Sequence, residues 1–111
     1  MVKLVSLAEY RHPVAPIFFA RHELKRLLAV YSARVAEGAW RDYAIDHRPD
    51  MAAFAVFRHS FDGPQFVITK SAQGRRSRRA FAVFAGCRKL IEGDSLDQVL
   101  KVFDSPLKVV S

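Results

Sequence analysis

The chain has 111 residues, enough for one domain with its own core and too few for two, and its 50% apolar and 26% charged residues exclude an intrinsically disordered chain. A single cysteine, Cys87, rules out an intrachain disulfide; with no secretory leader pattern and no uncharged apolar run longer than the 8 residues 80–87, a soluble cytoplasmic protein is expected. The net charge of +7 and pI near 10.1 leave three explanations: a nucleic-acid partner, an anionic membrane surface, or solubility alone.

Residues 1–16 contain two prolines and no sustained period, which predicts a flexible N-terminal arm ahead of a single α+β domain over 17–111. From about Arg21 to Glu37, Leu24, Leu27, Leu28, Tyr31 and Val35 recur at helical spacing, so an amphipathic helix is predicted. Glu23 suits its positive end and Gly38 its C-terminal cap, while Ala20 offers no capping acceptor. The period then shortens to two. Trp40–His47 reads as a strand with Tyr43 and Ile45 facing a core and Asp42 and Asp46 facing away. Turns at Arg48-Pro49-Asp50 and Asp62-Gly63-Pro64 separate it from strands over Ala52–Arg58 and Gln65–Lys70. A fourth strand spans Ala80–Cys87, and a short fifth is expected at Lys89–Glu92.

Ser95 and Gln98 have capping-box spacing, and Leu96, Val99, Leu100 and Phe103 form one face of a closing helix that ends before Pro106. Short links predict an antiparallel meander sheet of four to five strands, with the N-terminal and C-terminal helices packed on one face. The other face also carries apolar residues, since Ala53, Ala55 and Phe57 alternate with Phe54 and Val56, and this points to a protein–protein interaction or a homodimer through that second face.

No catalytic pattern survives. Asp42 and Asp46 would lie about 13 Å apart along a strand, beyond the roughly 5–9.5 Å of paired glycosidase carboxylates. His22-Glu23-Leu24-Lys25-Arg26 begins like a zinc-protease helix but has Arg26 where the second histidine is required. His12, His47 and His59 are scattered, Cys87 lacks a cysteine companion, and no glycine-rich loop joins a strand to a helix. Cys87, ending an apolar strand, reads as a small buried packing residue. The expectation is a protein that is not an enzyme, with no cofactor and no metal.

What remains is charge. Arg75, Arg76, Arg78 and Arg79 fall within five positions, and without them the net charge drops from +7 to +3. Alternate turns of a meander emerge at the same end, so Arg48 is expected beside this loop. These five arginines are the candidate anion-binding residues, able to pair with nucleic-acid phosphates or an acidic protein, while Phe61 or Phe81 could stack on bases if exposed. Asp46 and Asp50, at that same end, could instead neutralise part of the cluster.

Trp40-Arg41-Asp42-Tyr43-Ala44-Ile45-Asp46, following a helix that begins Arg21-His22-Glu23-Leu24, resembles domain-of-unknown-function family 2794 of small alphaproteobacterial proteins. Ala55-Val56-Phe57-Arg58, Gly93 and Val99-Leu100-Lys101-Val102 fit the same pattern, so the resemblance covers roughly residues 18–110. It implies no activity. The chain departs from the family pattern at Ala20, where an acidic cap is usual, and in the density of arginine in its loop. The helix–strands–helix order is also similar in outline to double-stranded RNA-binding domains. The lysine cluster expected at the start of the last helix is replaced by Asp94, Ser95 and Asp97.

Overall fold

Seven elements follow one another along the described residues: α1 (Arg21–Ala36), β1 (Asp42–His47), β2 (Met51–Phe57), β3 (Phe66–Ser71), β4 (Phe81–Ala85), β5 (Arg88–Gly93) and α2 (Leu96–Asp104). They belong to a computed structural model that describes residues 17–59, 62–71 and 80–104. The expected arm over 1–16, Phe61, and Arg75, Arg76, Arg78 and Arg79 lie outside the described residues. The five strands form one antiparallel sheet in the order β1-β2-β3-β4-β5, the α+β meander that short links predict.

Register sorts the sheet into two faces. Val56 pairs with Tyr43 and Phe66, Phe54 with Ile45 and Ile68, and Ile68 in turn with Val83, so these side chains share one face. Both helices cover that face. The Tyr31 ring of α1 meets Tyr43 edge-on at 4.9 Å, and the Phe103 ring of α2 meets Trp40 and Phe66 at 5.2 Å each. Phe54, Val56, Ile68, Val83, Leu27 and Leu100 are fully buried there and form the centre of the core. The second face carries Ala44, Ala55, Val67 and Phe84 in one cross-strand row and Asp46, Ala53, Thr69, Ala82 and Glu92 in the next.

Phe81 is buried and not free to stack on bases, Tyr43 and Ile45 lie on the helix face but are more than a third exposed, and three further expectations need correction. Trp40 precedes the first strand instead of opening it, and is buried against α2. The fourth strand stops at Ala85, because Gly86 and Cys87 form the tight turn into β5. Cys87 is therefore exposed at a hairpin tip and is no packing residue.

The third correction concerns α1, whose buried stripe is turned from the one hydropathy suggests. Glu23 and Leu27 are buried and Val30, Tyr31 and Arg34 partly so, whereas Leu28 and Val35 are exposed. Positions 23, 27, 30 and 34 still make a proper helical row, but a charged residue stands at each end. Glu23 is drawn in by Lys70 of β3, and Arg34 by the carbonyl of Phe103, to which its Nη2 donates. Those two bonds fix the helix's rotation.

The helix ends follow their caps. Ala20 offers nothing to the N-terminus of α1, yet Glu23 Oε1 accepts the Ala20 N–H at 2.6 Å, so half a capping box is present. At the other end Gly38 adopts φ +80, the left-handed conformation of a C-terminal stop. The box at α2 is complete: Ser95 Oγ accepts the Gln98 N–H at 3.3 Å, and Gln98 Oε1 accepts the Ser95 N–H at 3.1 Å.

Candidate functional site at one end of the sheet

Arg48, the described member of the sequence-predicted anion site, lies at the end of the sheet where β1 turns into β2. Arg48 N–H donates to Met51 O at 2.8 Å and closes that hairpin. Met51 pairs with Ser71, and Ser71 N–H donates to Ala80 O at 2.7 Å. Ser71 and Ala80 therefore lie at the same end of the sheet as the Arg48 turn. The chain entering α1 is tied to the same end: Arg48 O accepts the Ile17 N–H at 2.8 Å, and the Phe18 ring lies 4.4 Å from that of His47.

Of the five predicted arginines, Arg48 is the one within the described residues. Its Nε donates to Asp46 Oδ2 at 2.8 Å with both side chains more than half exposed. An exposed pair of this kind contributes about 0–1 kcal/mol and gives way readily to a better anion. Asp46 thus moderates Arg48 without sealing it.

Lys70 shares this end but is already engaged. Its Nζ donates to Glu23 Oε1 at 2.8 Å and to Phe18 O at 2.9 Å, with both charged side chains largely buried. Burial pushes the Glu23 carboxyl up, but hydrogen bonds from Lys70 and the Ala20 N–H, and the charges of Lys70 and His22, outweigh it. The carboxyl ends below its ordinary value of 4.5. This is a brace that sets the α1 N-terminus on β3.

The remaining chemistry is sparse. Burial, then Asp42 and Tyr43, push the Tyr31 hydroxyl up, so it stays protonated at neutral pH. Among the described residues no three His, Cys, Asp or Glu side chains gather as a metal set, and no helix is long and apolar enough to cross a membrane. The Glu23–Lys70 brace was not anticipated from sequence. Its signal was there, since Phe66, Ile68 and Lys70 alternate onto the helix face of β3 and Glu23 occupies the third position of a helix without an N-cap.

No curated protein and no solved structure matches the chain significantly. The family described as "Protein of unknown function (DUF2794)" matches residues 17–100, most of the described fold from the entry into α1 to the middle of α2. The chain belongs to that family.

Proposed function

We propose that the protein is a non-enzymatic binding module holding an anionic partner, a nucleic-acid backbone read without base specificity, through Arg48 and Arg75, Arg76, Arg78 and Arg79. One observation supports this reading: Ser71 and Ala80, which flank the arginine-rich sequence, lie at the same end of the sheet as Arg48, an exposed cation. Phosphates are held by such groups through charge and bidentate geometry, with base identity playing no part. Titration of a labelled duplex at low salt tests the reading, with the quadruple arginine-to-alanine variant as comparison. Equal binding by the two proteins, or none by the wild type, overturns it.

A second reading, self-assembly, is favoured by where large apolar side chains meet water. Among the described residues Phe18, Leu28, Val35, Tyr43 and Ile45 are each more than a third exposed, and all lie on α1, β1 or the entry to α1. None lies on the second sheet face, so the β1 edge is the better candidate for a homodimer. Arg48 N–H bonds Met51, and alternation from that pair turns the N–H groups of Tyr43, Ile45 and His47 away from β2. Asp42 Oδ1 accepts the first of these at 2.8 Å. A second copy pairing antiparallel about Ile45 sets Ile45 opposite Ile45, Tyr43 opposite His47 and Asp42 opposite Arg48. Sliding by one pleat in either direction puts aspartates opposite each other, which disfavours the two neighbouring registers.

A further inference from the structure

Phe18 is the most exposed large apolar side chain among the described residues, with 54% of its surface open to water. Its backbone is nonetheless held from three directions. Lys70 Nζ donates to Phe18 O at 2.9 Å, the preceding Ile17 N–H donates to Arg48 O at 2.8 Å, and the following Phe19 is buried in the core. The Phe18 ring rests against that of His47, with centroids 4.4 Å apart and planes tilted by 48°. Burying an aromatic ring is among the largest single gains open to a chain, so a ring kept in water by a backbone this firmly tied is available to another flat surface.

The cations near this ring are accessible as well. Arg48 follows His47 directly, and its pair with Asp46 is exposed on both sides. Arg21 opens α1 three residues after Phe18; it is exposed, and no carboxylate among the described residues pairs with it. Asp46, Asp50 and the Glu23 bonded to Lys70 offset the described cations here, so attraction for a polyanion depends on Arg75, Arg76, Arg78 and Arg79. Exposed rings among cationic groups are the usual construction of a single-strand site: the cations follow the phosphates, and the ring stacks on a base whatever its identity. Bases inside a duplex are covered by their neighbours and out of reach.

We infer that the Phe18 ring, backed by His47, is a stacking platform for one unpaired base, and that the anionic partner is single-stranded nucleic acid. This rests on the phosphate reading above and narrows its partner from any nucleic-acid backbone to an unpaired one. Phe81, one of the rings expected to stack, is buried, and Phe18 takes that role.

Fluorescence anisotropy at low salt tests the platform with four labelled probes: an oligothymidylate, the matching oligouridylate, an abasic strand of the same length, and a duplex. The abasic strand keeps every phosphate and lacks the bases. The wild type should bind at least one of the two base-bearing strands about tenfold more tightly than the abasic strand, and the tighter of the two identifies the sugar. Phe18→Leu, which keeps an apolar side chain at an exposed position, should lower that affinity to the abasic level and leave duplex affinity unchanged. Phe18→Trp should retain tight binding, and its added fluorescence should be quenched by the base-bearing strand and not by the abasic one. A wild type that binds none of the four probes removes the phosphate reading and the platform with it. Equal affinity for base-bearing and abasic strands, a preference that survives Phe18→Leu, or a loss that the duplex shares overturns the platform alone.

Discussion

Lys70 Nζ on β3 stands 2.8 Å from Glu23 Oε1 on α1, an ion pair joining residues 47 apart in sequence at the point where the first helix meets the sheet. Its energetic sign follows from the carboxyl's depressed pKa. A carboxylate held below its unfolded value contributes stability that is present above that value and lost as the pH falls through the folded one. Glu23→Gln should therefore cost about 1–3 kcal/mol at pH 7. The gap between wild type and variant should narrow as the pH falls from 4.5 through the lower folded value, where native Glu23 becomes protonated and resembles glutamine. Urea unfolding at pH 7 and near pH 3 measures it, and a gap that stays constant refutes the assignment.

Gly93 is held to glycine by the cap of α2. A Cβ there would lie 2.8 Å from Gln98 Oε1, the atom that accepts the Asp94 N–H at 2.7 Å and the Ser95 N–H. Gly93→Ala should displace that side chain and destabilise the protein by about 1–2 kcal/mol, the size of a lost cap. Gln98→Ala should cost a similar amount. Because both changes remove the same interaction, the double variant should cost clearly less than the two together. Strict additivity in urea unfolding would show that the cap is not what fixes glycine here.

Much of this architecture was legible because it is local. The capping box of Ser95 and Gln98, the stop at Gly38 and the alternation through Phe54 and Val56 each need only a few neighbouring residues, and each lies where the pattern puts it. The rotation of α1 was not legible. Hydropathy puts Leu28 and Val35 inward, but the helix is turned by Glu23 and Arg34, whose partners lie 47 and 69 residues away. No local window contains that information. The candidate anion site is divided in the same way: strand order puts Ser71 and Ala80 at the end of the sheet that carries Arg48, whereas the Asp46 contact is a matter of side-chain geometry. Cys87 was misjudged for a related reason, since an apolar run does not reveal that its last two residues form a turn.

The exposure of Cys87 is directly measurable. A thiol at the tip of the β4–β5 hairpin should react with Ellman's reagent in the native protein, one equivalent per chain, at a rate unchanged by urea below the unfolding transition. A thiol that reacts only as the protein unfolds would return it to the interior.

The anion-binding reading makes a quantitative demand. Five arginines each neutralising one phosphate of a duplex give a plot of log affinity against log salt with a slope of about −4.5. Alanine at Arg75, Arg76, Arg78 and Arg79 should leave a slope near −0.9, and Arg48→Ala alone should reduce the steepness by about 0.9. Fluorescence anisotropy across a salt series measures both. A wild-type slope near zero, or one unaltered by the four substitutions, rules out phosphate contact by these residues.

The β1 edge can be tested against the second sheet face by placing one charge on each. In the register centred on Ile45, Ile45→Lys brings two ammonium groups together at the two-fold axis, and Asp42→Lys sets a lysine against Arg48. Val67→Lys charges the second face and leaves the edge alone. Sedimentation velocity should show the wild type approaching twice its 12.6 kDa as concentration rises, with Val67→Lys behaving alike and both edge variants staying monomeric. If Val67→Lys dissociates the dimer and the edge variants do not, the second face is the interface. A wild type that remains monomeric at millimolar concentration removes self-assembly altogether, and the exposed Tyr43 and Ile45 are then simply the cost of an edge strand lying only partly under its helix.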